Sequence, residues 1–77
     1  MITMTDIRKF GKEITVNGMT VVEYVDAYSK NLVSCGLCNK NSARKTAIKD
    51  IANGLFGHEL SIAFSHIETM KTLNVLA

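Results

Sequence analysis

Apolar residues recur at helical spacing along most of the chain. Val21, Val25, Tyr28 and Leu32 follow the i, i+4, i+7, i+11 template, and Val22 and Val33 widen the stripe, which predicts a helix over 21–34. A second stripe of Ala43, Ala47, Ile48, Ile51, Ala52 and Leu55 predicts a helix over 43–56. A third, Leu60, Ala63, Phe64, Ile67 and Met70, predicts one over 59–72. That helix either continues through Leu73 and Leu76 or gives way at Leu73 to an edge strand.

Polar punctuation sets the boundaries. Thr20-Val21-Val22-Glu23 has the form of a capping box, in which the threonine hydroxyl accepts from the N3 amide and Glu23 reaches back to the Thr20 amide. Gly36 suits a left-handed stop for the first helix, Asn41 or Ser42 a cap for the second, and Gly54 and Gly57 its weakening and end. Upstream, Thr5 to Phe10 reads as a short helical turn capped by Thr5 and stopped by Gly11. Glu13 to Val16 alternates like a brief strand and runs into the tight-turn dipeptide Asn17-Gly18. The capping box just beyond indicates that this turn feeds a helix rather than closing a hairpin. The expected fold is all-α: one domain over 1–77, a compact bundle of about three helices behind a short irregular N-terminal arm.

Composition adds bounds. A chain of 77 residues buries only roughly 60 % of the surface that its unfolded form exposes, and gains from a metal, a disulfide or a second copy. At 47 % hydrophobic and 21 % charged it is too apolar for a disordered tail. No apolar run reaches the roughly 18 residues of a membrane span, and Met1 to Phe10 lacks the apolar block of a signal peptide. Two cysteines are too few for a secreted disulfide scaffold. These readings describe a soluble, cytoplasmic and complete chain with no membrane partner. Without proline there is no sign of a linker, and no internal repeat is seen.

The net charge of +2 conceals an asymmetry. Between Asp26 and Asp50 there is no acid, but there are Lys30, Lys40, Arg44, Lys45 and Lys49. The predicted second helix puts Arg44 and Lys45 in its first turn, where the dipole disfavours each cation by about 0.3–1 kcal/mol. Lys45 and Lys49 are also like charges at i,i+4. Lys40, Arg44, Lys45 and Lys49 therefore form the candidate anion- or partner-binding site, with amides and cations aimed at a phosphate or carboxylate. Against this stands an ordinary solvated face whose charges are answered by Asp6, Glu13, Asp50 or Glu59. Asp26 and Lys30 are spaced for an i,i+4 pair.

A nucleic-acid phosphate would call for a helix-turn-helix. Ile48 to Leu55 has the look of its first helix, with Ile62 near where the second packs back. The turn at Phe56-Gly57-His58 is displaced from the usual glycine placement, and the second helix has no Arg or Lys before Lys71. Base and backbone recognition both draw on such residues.

Cys35 and Cys38 are the candidate metal or redox residues. A redox thiolate favours a helix N-terminus, whereas Cys35 follows a helix C-terminus. Zinc would need His58 and His66 as well, but a separation of eight residues turns their rings apart on one helix. Two small, partly buried thiols packing a helical corner is the plainer reading, and no metal or other cofactor is expected. His66 reads as half-buried and structural. Tyr24 and Tyr28 read as core or boundary aromatics that become stacking platforms only if exposed beside the basic loop. There is no nucleophile–base pair, carboxylate pair or phosphate-cradling glycine loop, so an enzyme is not expected.

Met70, Leu73, Val75 and Leu76, with Met1, Ile2 and Met4, are candidates for a sticky edge that favours a homo-oligomer or docking on a larger protein. Size and lack of catalytic groups are typical of stand-alone regulators, including those of phages and plasmids. The leading reading is a small regulatory protein that binds a macromolecular partner, foremost a protein, through the basic loop and second helix, with inhibition of that partner as one form the regulation can take. A DNA-binding regulator of helix-turn-helix type is the alternative, and a binder of a small phosphorylated ligand the third.

Overall fold

A computed structural model describes residues 2–76, with side chains as far as Asn74. It is mostly helical, as the apolar spacing indicates, but has four helices and a small two-stranded sheet rather than three helices behind an irregular arm. The elements are α1 (Met4–Phe10), β1 (Thr15–Val16), β2 (Met19–Thr20), α2 (Val21–Ser34), α3 (Lys40–Ala52) and α4 (His58–Leu76).

The N-terminal arm departs most from expectation. Thr3, not Thr5, caps α1: its Oγ1 accepts the Asp6 amide at 3.4 Å, and Asp6 Oδ2 accepts the Thr3 amide at 2.9 Å. A cap at Thr5 would have placed Arg8 at N3, which has no acceptor to return. With α1 formed, Ile7 is fully buried and Ile2 nearly so, and the arm becomes part of the core.

The Asn17-Gly18 turn does both things that the sequence set against each other. Asn17 (φ 53°) and Gly18 (φ 84°) are both left-handed, as a two-residue hairpin turn requires. They join Val16 to its partner Met19 and Thr15 to Thr20 in an antiparallel pair. Thr20 then caps α2, and the capping box closes with Glu23 at 3.1 Å in both directions. Val21 also donates to the Ile14 carbonyl at 3.0 Å, so one residue ends the ladder as the next begins the helix.

Helix α2 has the expected limits. Gly36 adopts φ 75°, and the Leu37 and Gly36 amides return to the Leu32 and Val33 carbonyls, the Schellman closure. Helix α3 lies about three residues N-terminal of its expected position. Asn39 caps it, accepting the Ser42 amide at 2.9 Å and the Ser42 hydroxyl at 3.1 Å, whereas Asn41 and Ser42 are within the helix. A second Schellman closure at Gly54 ends it at Ala52. Ala52, expected inward, is exposed, and Leu55 lies beyond the helix with half its surface open. Ser61 Oγ donates to the Ala52 carbonyl at 2.9 Å, so α4 satisfies one acceptor left free at the end of α3.

Helix α4 runs from His58 to Leu76, beyond the expected 59–72, and the edge strand considered from Leu73 is helix as far as Leu76. Leu60, Ala63, Phe64 and Ile67 face the core as the stripe predicted, together with Val21, Val25, Leu32, Ala43, Ala47, Ile48 and Ile51. Helices α2 and α3 form the most extensive helix pair. The arm is pinned to α4 by an ion pair, Lys71 Nζ to Asp6 Oδ2 at 3.0 Å. Of the proposed sticky edge, Ile2 is buried and Met4 and Met70 pack against the core, while Leu73 is 61 % exposed. Met1 and the side chains of Val75 and Leu76 lie outside the described residues. Among the described residues no helix is long and apolar enough to cross a membrane.

Candidate functional site

Because α3 begins at Lys40, the predicted cationic residues do not share one position on it. Lys40 is at N1, opposed by the helix dipole, and the first turn carries no acid. Arg44 and Lys45 are in the second turn instead of the first, which removes the dipole penalty inferred for them. Lys45 and Lys49 stand one turn apart on the face away from the core, both exposed.

Of the acids that could have answered these charges, Asp6 and Asp50 are engaged elsewhere, and Glu13 and Glu59 make no ion pair among the described residues. Asp6 holds Thr3 and Lys71, and the Thr3 amide foremost keeps its carboxyl below the usual range. Asp50 accepts the Tyr28 hydroxyl at 3.1 Å. Asp26 is 3.9 Å from Arg44 across the α2–α3 pair, rather than paired with Lys30. Both side chains of that contact are well exposed, which marks it as a weak surface bridge. Among the described residues Lys30, Lys40, Lys45 and Lys49 make no ion pair.

The cations divide between two grooves. Arg44, Lys45 and Lys49 border a groove of about 570 Å³ between α3 and the N-terminal arm, where Ile2, Met4 and Ile48 supply apolar surface and Thr3, Thr5, Asn41 and Thr46 hydroxyls or amides. Lys40 borders a second groove of about 470 Å³ between α2 and α3, together with Lys30, Ser29, Val33, Ser34 and Ala43. Arg44 lines both. The site predicted from Lys40, Arg44, Lys45 and Lys49 is thus two surfaces that share one arginine. Lys30 and the arm residues were missing from it. Lys30 was within reach of sequence reasoning, since a short connection between two antiparallel helices brings the end of one beside the start of the next. The arm was not, because Thr5 to Phe10 was read as a short helical turn in an irregular arm and nothing in its sequence placed Ile2 and Met4 against α3.

The other candidates are placed as follows. Cys35 caps the C-terminus of α2 and is exposed, its thiol 3.6 Å from Asn31 Oδ1, so only Cys38 is the partly buried corner residue expected of both. Among the described residues no three His, Cys, Asp or Glu side chains gather as a metal site. His66, read as half-buried, is exposed. Ile62, expected to pack back in a helix-turn-helix, is 54 % exposed, and Leu60, Ala63 and Phe64 make the return contact instead. Tyr24 and Tyr28 are covered by Phe56, at ring-centroid distances of 5.9 and 5.4 Å, the second edge-on. Their hydroxyls donate to the Val16 carbonyl and to Asp50.

No family model matches this chain, and comparison with curated proteins and with solved structures likewise finds no match.

Proposed function

We propose that this is a small non-enzymatic regulatory protein that binds a protein partner through the groove between α3 and the N-terminal arm. The observation that carries this reading is the pairing of an apolar floor with unanswered charge. Ile2, Met4 and Ile48 line the groove, and Lys45 and Lys49 rise beside it with no ion pair among the described residues. A protein segment that sets an apolar side chain among Asp or Glu residues complements both features. Burying the anchor supplies affinity, and the cations supply orientation and association rate.

Selection of displayed random peptides against the folded protein tests this. Enriched sequences combine acidic residues with a large apolar one, and their affinity falls at least roughly tenfold in a Lys45→Glu, Lys49→Glu variant. Enrichment of neutral or basic sequences, or binding that is indifferent to the double reversal, refutes it.

The helix-turn-helix alternative has less support. Helix α4, its reading helix, exposes Glu59, Ile62 and Glu68, and its lysine, Lys71, is paired with Asp6. Labelled duplex DNA decides the matter: a DNA binder loses affinity steeply with salt, by roughly 0.9 in log–log slope per phosphate neutralised. Self-association draws support from Ile62 and Leu73, both exposed on α4, and sedimentation over micromolar concentrations checks it.

A further inference from the structure

The groove between α2 and α3 differs in kind from the one beside the arm. Its walls carry three cations from two helices: Lys30 from α2, Lys40 and Arg44 from α3. Its floor is made of small or apolar residues, Ser29, Val33 and Ala43, of which Ser29 and Ala43 are buried. The Ser29 hydroxyl is committed to the Val25 carbonyl at 2.7 Å. That of Ser34 makes no hydrogen bond among the described residues, which leaves it as a donor at the rim. Among the described residues the ion pair these cations make is Arg44 with Asp26, at 3.9 Å too long and too exposed to neutralise more than part of one charge. Like charges gathered on one groove repel, and nothing in the packing requires them. All three side chains point from exposed positions, and the helices meet through Ser29, Ala43 and their neighbours.

We propose that this interhelical groove is a binding site for a small phosphate-bearing molecule, held by Lys30, Lys40 and Arg44. The volume of about 470 Å³ is within the range of small-molecule sites, roughly 300–1,000 Å³. Arg44 presents a planar fork suited to two phosphate oxygens, while the lysines act as point charges that follow the anion. The Ser34 hydroxyl donates to a further oxygen, and the apolar strip of Val33 and Ala43 lies under the organic part of the ligand. Binding draws Arg44 away from Asp26, so the α2–α3 bridge opens as the anion enters.

Inorganic pyrophosphate, titrated at constant ionic strength of about 0.15 M and followed by amide NMR shifts, tests the site. The expected result is saturable binding with Kd below about 1 mM and shifts confined to the segments 29–34 and 40–44. A Lys30→Gln, Lys40→Gln variant binds at least roughly tenfold more weakly, while Lys45→Gln, Lys49→Gln, which removes the same charge from the other groove, changes Kd less than about threefold. All four positions are exposed, and an unchanged circular dichroism spectrum confirms that each variant is folded. Shifts that do not saturate, or equal weakening in both double variants, mean diffuse attraction to a basic surface and overturn the proposal.

Discussion

The Tyr28 hydroxyl donates to Asp50 Oδ2 at 3.1 Å, joining the middle of α2 to the C-terminal half of α3. Phe56, from the loop after α3, stands edge-on over the same ring. Asp50 is thereby turned to the interior of the helix pair, and the acid nearest in sequence to Lys49 is withdrawn from the outer face. The hydrogen bond that fixes the hairpin also leaves the basic surface bare.

Replacing Tyr28 by Phe therefore loosens the hairpin, and we expect Tm to fall by roughly a few degrees. The phenol gives a second readout. Burial, and then the bond to Asp50, hold its pKa above the usual value. The protonated form is thus favoured by folding. Its contribution is complete below about pH 10 and is lost as pH rises through the raised value. The chain has two tyrosines, so absorbance titration of the wild type shows a late-ionising component that is missing from Tyr28→Phe.

What could be read in advance follows a physical rule. Helix α2 was legible to the residue because both of its ends are encoded locally, by Thr20 with Glu23 and by Gly36. The start of α3 was not, since Asn39, Asn41 and Ser42 are all competent caps and only the tertiary position of Ala43 and Ala47 selects among them. The arm was misread for a similar reason: a seven-residue helix is unstable alone and is held by burial of Ile7 and by the Asp6–Lys71 pair. The four cations of the site were visible as a charge excess. Their division between two grooves was not, because it depends on where the arm and α2 lie against α3.

Gly11 is a close approach between the arm and the bundle, buried against Ile67 and Val21. A Cβ there would stand 2.8 Å from the Ile7 carbonyl oxygen and 2.9 Å from Ile67 Cδ1. The carbonyl cannot retreat freely, since it already accepts the Gly11 amide at 2.7 Å. We expect Gly11→Ala to destabilise the fold by about 1–3 kcal/mol in urea denaturation. Ile67→Val removes the second clash, so Gly11→Ala should be less damaging in that background than alone, a coupling that a double-mutant cycle reads directly.

Asp6 serves two partners at once, closing the α1 capping box and pairing with Lys71 of α4. Asp6→Asn should lower stability by about 1 kcal/mol at neutral pH. With its folded pKa depressed, the carboxylate contributes in full above the unfolded value of about 4. That contribution is lost as pH falls through the lowered value. Wild type and Asp6→Asn should therefore differ in Tm at pH 7, and the difference should shrink as pH falls below about 4 and through the lowered value.

Lys40 is where stability and binding make opposite demands. At N1 of α3 it faces the positive end of the dipole, no acid occupies the first turn, and Arg44 follows one turn on in the same groove. Lys40→Glu reverses each of these terms: the dipole favours the introduced carboxylate, and an acid four residues before Arg44 makes a favourably oriented pair. The expected gain is about 0.5–2 kcal/mol at low ionic strength, shrinking toward zero in 1 M salt, where the Debye length is about 3 Å. A rise in Tm that salt abolishes, accompanied by loss of pyrophosphate binding, would show that the lysine is held against the preference of the helix. A variant no more stable than wild type at low salt would mean that the Lys40 charge is already compensated in the fold, leaving the groove without the uncancelled positive charge that an anion would seek.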